Sequence, residues 1–239
     1  MKPKEHPTVG LLWDWEAPRV EWRQVEREAL LGRGHYATVH SATLCLPGGE
    51  RVPVALKQLI PKPIVGKCVP LEEARVLGAL AGVKGVPKLY GLTDTPPHAL
   101  VMSRCPGVTM SVLRKRGEVR MCLVAVGKLC SILSHMHARG VTHGDLHGSN
   151  ILVSVPDGDG KDSMSVCLVD FGNSKTNAGT ELLKKDAHQL LKLLKNILRT
   201  MKEESDSNIF QRREEVTEIL DADLTLAQIF SLVGCILRR

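Results

Sequence analysis

The sequence predicts an α+β protein: a small antiparallel sheet carrying one helix, followed by a mostly helical region. Three observations predict it. Short runs with strand character, separated by Gly- and Pro-containing turns, fill the chain up to residue 103. Beyond residue 119, apolar residues recur at three- and four-residue spacing. Between the two stretches, Cys105-Pro106-Gly107 breaks both patterns. Strands segregated from helices indicate α+β rather than an alternating α/β chain. At 239 residues, 43% hydrophobic and 24% charged, the chain can bury a sizeable core as one compact domain or two small lobes.

The elements follow in order. Residues 1–27 form a polar leader holding Trp13, Trp15 and Trp22, aromatic anchors expected to pack on the sheet. Strands are expected over 28–32, 38–45 and 51–59, with Pro47-Gly48-Gly49 turning the chain between the last two. Pro70 suits the first turn of a helix over 70–82. Strands over 86–92 and 98–103 complete a five-stranded sheet. Cys122, Val126, Leu129, Leu133 and Met136 form one apolar stripe on a helix ending at Gly140. Ile151-Leu152-Val153 and Val166-Cys167-Leu168-Val169 read as a hairpin. Its loop, Pro156 to Asp162, lacks the glutamate of a calcium loop because Leu168 stands at the twelfth position. Leu190, Leu193, Leu194 and Ile197 mark a second long helix, expected to open near Asp186.

The chemistry is concentrated in two motifs. His143-Gly144-Asp145-Leu146-His147-Gly148-Ser149-Asn150 sets an acid and an amide five residues apart, and Leu168-Val169-Asp170-Phe171-Gly172 ends an apolar strand on a second acid. Phosphoryl transfer needs a carboxylate to accept the acceptor's proton, and an amide and a carboxylate to hold Mg2+ against the phosphates. Upstream, Leu30 to Val39 reads strand, glycine turn, strand, with Gly32 and Gly34 leaving backbone N–H groups open to phosphate oxygens. Val54-Ala55-Leu56-Lys57 and then Glu73 follow in order. Singly, these are a hairpin turn, a solvated lysine and a surface glutamate. Jointly, from about Leu30 to Asp186, they resemble the protein kinase superfamily.

That resemblance implies a two-lobed protein kinase-like fold, with the leader at 1–27, an N-lobe over 28–103 and a truncated C-lobe over 104–239. It implies ATP as substrate and Mg2+ as cofactor. Lys57 would contact the α- and β-phosphates and be held by Glu73, and Asp145 would deprotonate the acceptor. Asn150 and Asp170 would bind the metal. Leu31, Gly32, Arg33, Gly34, His35, Tyr36, Ala37, Thr38 and Val39 would form the nucleotide-covering loop and its flanks. Leu31, Val39 and Ala55, with Leu152, would sandwich the adenine. Met102 falls at the gatekeeper position, and backbone groups from Ser103 to Cys105 would bond the base. His143 is a packing residue in this scheme. The implied reaction is γ-phosphoryl transfer to a protein hydroxyl, serine or threonine ahead of tyrosine. The alternatives are a small-molecule phosphotransferase and an ATPase or ATP-binding module of a larger complex.

Four departures from the family pattern stand out. Ala37 replaces the third glycine of the loop. Gly144 replaces the arginine that usually precedes the catalytic aspartate, which removes the usual partner of a phosphorylated activation loop. His147 replaces a common lysine and is similar to the residue used by small-molecule phosphotransferases. Only Asn173 to Lys185 separates Gly172 from Asp186, and no Ala-Pro-Glu motif occurs. That shortness resembles the small atypical kinases of the tRNA threonylcarbamoylation (KEOPS) complex.

Composition fits an intracellular enzyme. The seven cysteines are scattered without CxxC spacing, so free thiols in a reducing compartment are expected. The N-terminus lacks the apolar core of a signal peptide, and no run matches the roughly 18 apolar residues of a membrane span. A cytoplasmic or nuclear protein is expected. Net charge is +6, with Arg114-Lys115-Arg116 as the main cluster. A solvated helix end accounts for that cluster, and docking of RNA or an acidic protein is the sharper reading. Aromatic content of 3% leaves little stacking surface for single-stranded nucleic acid.

Overall fold

A computed structural model of the chain describes residues 16–34, 37–60, 69–155, 164–202, 209–211, 216, 219–220 and 223–238. His35, Tyr36, Trp13, Trp15 and the loop from Pro156 to Asp162 lie outside these residues. The chain divides into two compact units. The first runs to Arg75 and takes up Leu89–Ser103; the second comprises Val76–Lys88 and the chain from Arg104 onward.

The first unit is a sheet built on alternation. Strands β1 (Arg19–Val20), β2 (Val25–Arg33), β3 (Ala37–Cys45), β4 (Arg51–Leu59), β5 (Leu89–Thr93) and β6 (Ala99–Ser103) align in the order β1-β5-β6-β4-β3-β2. Val54 and Leu56 of β4 point to one face, where they bury with Ala42, Leu44, Ala99 and Val101. Helix α1 begins at Val69 and ends at Ala79.

The sheet has six strands, not five, because the leader contributes β1. Arg19 and Val20 pair in parallel with Leu92 and Thr93. The pairing depends on Gly91, whose φ is +149°; a Cβ there would run into the Pro18 carbonyl. Trp22 fastens the same segment by donating its indole N–H to the Thr95 carbonyl at 2.9 Å and packing against the sheet core. A two-residue strand has too few residues to show a period, which is why pattern reading assigns it to a leader.

The second unit is mostly helical, with a three-stranded sheet of β7 (Val108–Thr109), β8 (Ile151–Ser154) and β9 (Ser165–Leu168). The expected hairpin is the antiparallel pair β8–β9, in register from Ile151↔Leu168 to Ser154↔Ser165. The helices are α2 (Met110–Lys115), α3 (Val119–His137), α4 (Thr180–Arg199) and α5 (Leu226–Leu237). Cys122, Val126, Leu129, Leu133 and Met136 are all buried on α3, the stripe read from spacing. α5 presents Ile229, Val233 and Ile236 to the core and packs on α3.

Three expectations change here. Helix α3 has the length and apolarity of a membrane span, although 61% of its apolar window is buried inside the protein, as in a core helix. Cys105 and Cys167, expected as free thiols, form a disulfide. They lie 62 residues apart, but β7 and β9 both border β8, and this brings their Cα atoms to 6.1 Å. Cys122 and Cys130 are free and inert, their thiols pushed up to about 11 and about 12 by burial. Finally, α4 opens at Thr180, six residues before Asp186, so Asp186 sits inside the helix and not at its start.

Candidate active site

In the first unit, Lys57 stands on β4, flanked by β3 and β6 and therefore held on both sides. The pleat that buries Leu56 turns Lys57 to the opposite face. Direct pairing places Val39 beside Lys57 and Met102 beside Ala55, so these four residues share that face. The ammonium of Lys57 donates to both oxygens of Glu73 on α1, at 2.7 and 3.0 Å. The Glu73 side chain is 1% exposed and that of Lys57 14%. An ion pair this deep holds its geometry against solvent. The glycine segment, Leu31 to Gly34, lies at the exposed end of β2, with the Gly34 N–H bonded to the Ala37 carbonyl at 2.8 Å.

In the second unit, one buried carboxylate organises the catalytic loop. Asp186, fully buried, accepts from the backbone N–H of His143 and of Gly144, each at 2.8 Å, and lies 3.0 Å from His137 Nε2. One helical turn on, Gln189 completes the clamp. Its Nε2 donates to the Gly144 carbonyl and its Oε1 accepts from the Leu146 N–H, both at 3.0 Å. The loop is thus fixed on either side of Asp145.

Gly144 is required by the backbone. Its φ is +78°, and a Cβ would stand 2.7 Å from the Asn173 carbonyl oxygen. The absent arginine is therefore a consequence of loop geometry as well as a lost phosphate partner. His143 packs edge-on to Phe171 with ring centroids 5.0 Å apart, and its Nε2 lies 3.1 Å from the Val169 carbonyl. Its Nδ1 accepts the Asp145 N–H at 3.3 Å, so the ring is neutral with its proton on Nε2. Burial holds its pKa below the ordinary histidine value.

The Asp145 carboxylate receives the Asn173 amide at 3.2 Å on Oδ2, with His147 Nε2 at 3.8 Å from the same oxygen. Asn150 donates its amide N–H to the Asp145 carbonyl at 3.0 Å, which leaves its Oδ1 as an acceptor. The Asn150 carbonyl in turn accepts from the Val169 N–H at 2.9 Å, placing Asn150 and Asp170 at the adjoining ends of β8 and β9. Asp170 is exposed and left-handed, with φ +66° and ψ +75°. Among the described residues, no three His, Cys, Asp or Glu cluster as a self-contained metal cage. One carboxylate and one amide oxygen nevertheless suit Mg2+, which keeps waters and phosphate oxygens in most of its octahedron.

Of the sequence-derived site residues, Lys57, Glu73, Val39, Ala55 and Met102 come together in the first unit. Asp145, Asn150 and Asp170 come together in the second. Leu152, half-buried on β8, pairs with Thr109 and Cys167. Ser103 ends β6, and Cys105 carries the disulfide. Asp186, Gln189 and Asn173 were missed as positioning residues. Asp186 left a readable trace: it stands four residues before Leu190, on the apolar stripe of α4, where a solvent-facing carboxylate would not belong.

Comparison with known proteins places the chain in a family. The family model for protein tyrosine and serine/threonine kinases matches residues 25–209, and the chain belongs to that family of phosphotransferases. It is 28% identical over 149 residues to a probable myosin light chain kinase of Dictyostelium discoideum, covering 61% of this chain and 45% of the relative. It is 31% identical over 156 residues to a non-receptor tyrosine-protein kinase of Homo sapiens, covering 61% and 22%. It is also 30% identical over 131 residues to a probable bifunctional tRNA threonylcarbamoyladenosine biosynthesis protein of Methanoculleus marisnigri, covering 55% and 22%. The matches thus span less than half the length of these relatives.

Proposed function

We propose that the chain transfers the γ-phosphoryl group of ATP to a protein hydroxyl, serine or threonine ahead of tyrosine, with Mg2+ as cofactor. The observation that carries this reading is the buried Lys57–Glu73 ion pair. It fixes an ammonium on the sheet face shared with Val39, Ala55 and Met102, where a nucleotide's phosphates and base have complementary partners. Asn150 and Asp170 would supply the metal's protein ligands. Mg2+ would neutralise charge on the phosphates. Asp145 accepts the proton of the attacking hydroxyl on its carboxylate, which the Asn173 amide orients through Oδ2. The clamp of Asp186 and Gln189 keeps that carboxylate in place before substrate arrives.

A second reading, an ATPase or ATP-binding module of a larger assembly, is favoured by one observation. Only Ser174 to Gly179 separates the 3-10 turn Phe171–Asn173 from α4, little chain with which to dock a peptide. Likeness to the tRNA-modification protein points the same way. Incubation with ATP labelled on the γ-phosphoryl group, reading protein, small-molecule and free phosphate separately, decides between them. Label on protein serine or threonine, absent in Asp170→Ala, supports the first reading. Label only in free phosphate supports the second.

A further inference from the structure

A cavity of about 370 Å3 opens in the second unit beside the catalytic loop, walled by α2, that loop and α4. Its lining is one-sided in charge. Arg114 and Lys192 supply cations, His147, Ser111, Ser149 and Asn196 supply further polar groups, and among the described residues no carboxylate takes part. Among the described residues, neither Arg114 nor Lys192 has a carboxylate within ion-pair distance. The neighbouring cavity, of about 380 Å3, shares Lys192 and Gln189 with the first but carries carboxylates. Its Lys184 and His188 are answered by Glu181 at 3.4 Å and Asp223 at 3.5 Å.

The walls are held in place before any ligand arrives. The Ser111 N–H donates to the Gly148 carbonyl at 3.0 Å, and the Ser111 and Ser149 hydroxyls meet at 3.3 Å. The Arg114 guanidinium donates one N–H to the Thr200 hydroxyl at 3.3 Å, and among the described residues no side chain takes its other four. His147 ties the cavity to the chemistry, since it lines the wall and its Nε2 lies 3.8 Å from the Asp145 carboxylate. An anion seated here would place the residue beside it at the Asp145 carboxylate.

We propose that this cavity is a substrate subsite that seats an acidic side chain of the acceptor protein, flanking the hydroxyl presented to Asp145. The inference rests on the kinase reading above and names its substrate class. A peptide fits better than RNA: the cavity holds one or two side chains and, among the described residues, carries no Phe, Tyr or Trp ring on which a base could stack. Guanidinium and ammonium groups with neutral donors around them match a carboxylate in charge and in hydrogen-bonding sense.

The test compares two labelled peptides, one with a serine flanked by glutamates and one with lysines in their place. Fluorescence anisotropy reads binding, and γ-phosphoryl labelling reads transfer. Wild type should bind the glutamate peptide at least about ten-fold more tightly, with affinity falling as salt rises. Lys192→Glu with Arg114→Glu should reverse the preference, and the milder Lys192→Gln with Arg114→Gln should abolish it, with circular dichroism reporting the fold of each. Equal binding of both peptides, an unchanged preference in the variants, or displacement of the peptide by a lower concentration of an RNA oligonucleotide would each overturn the subsite. Binding needs no phosphoryl transfer, so the two readings separate. Preference for the glutamate peptide without labelling of any acceptor keeps the subsite and removes the kinase reading. Labelling of the lysine peptide alone keeps the kinase reading and removes the subsite.

Discussion

The two units hold their functional groups by opposite means. In the first, Lys57 is placed by charge, a half-buried ammonium gripped by a buried carboxylate. In the second, Asp145 is placed by backbone, with the N–H groups of its neighbours tied to Asp186 and Gln189. In the proposed reaction a phosphate-directed cation has to sit at one point, and a strong ion pair holds it there. A general base has to sit at the right point with the right orientation, and that takes several weaker bonds converging on the chain around it.

The largest expected effect breaks the charge side of this comparison. Lys57→Met should reduce phosphoryl transfer at least about a thousand-fold, since in the proposed reaction the charge acts on the phosphates themselves. It also strips Glu73 of its cation, at a cost of about 3–5 kcal/mol in urea unfolding. Glu73→Gln keeps an acceptor for the lysine and should lose less of both. A Lys57→Met protein with wild-type turnover would remove Lys57 from the site.

Asp186→Ala breaks the backbone side. It leaves the buried His143 N–H and the half-buried Gly144 N–H without their acceptor and should cost about 3 kcal/mol in stability, with a loss of kcat that exceeds any rise in KM. Asp186→Asn, which preserves an acceptor oxygen, should recover part of each. Equal kcat in Asp186→Ala and wild type would show that the clamp does not position Asp145.

Gly144→Ala sharpens the comparison at one residue. A side chain at φ +78°, 2.7 Å from the Asn173 oxygen, should cost about 1–3 kcal/mol and slow transfer without changing ATP affinity. Gly144→Arg should fare no better, although it restores the residue usual in the family.

The pH dependence is smaller. His143 stays neutral when folded because burial disfavours its cation, whereas in the unfolded chain it titrates near its ordinary value. The unfolded state therefore takes up the proton first. This contribution to stability is full above about pH 6.5, declines as pH falls below it, and stops changing once the folded-state value is passed. Urea midpoints for wild type should drop between about pH 7.5 and 5.5, and those of His143→Phe should drop less. The smallest effect tests neither side and calibrates both. Thr225 caps α5 through the Gln228 N–H at 3.4 Å, and Thr225→Ala should cost about 1 kcal/mol in thermal unfolding with transfer unchanged.

By itself the sequence determined what is local. Alternation in Val54-Ala55-Leu56-Lys57 put the lysine opposite the core, and three- and four-residue spacing drew the stripe of α3, because side-chain direction follows backbone period with no knowledge of neighbours. The order and spacing of Lys57, Glu73, Asp145, Asn150 and Asp170 carried the family resemblance that marks them as candidate chemistry-bearing residues. Tertiary structure alone decided what those residues touch. It made Asp186 a buried clamp, gave the leader a place in the sheet through Gly91, and bridged Cys105 to Cys167. It also gathered Arg114, His147 and Lys192 around one cavity. Each of these joins residues tens of positions apart, or depends on an empty space beside a backbone. Contacts of that kind exist only once the chain has closed on itself, and no period along the sequence records them.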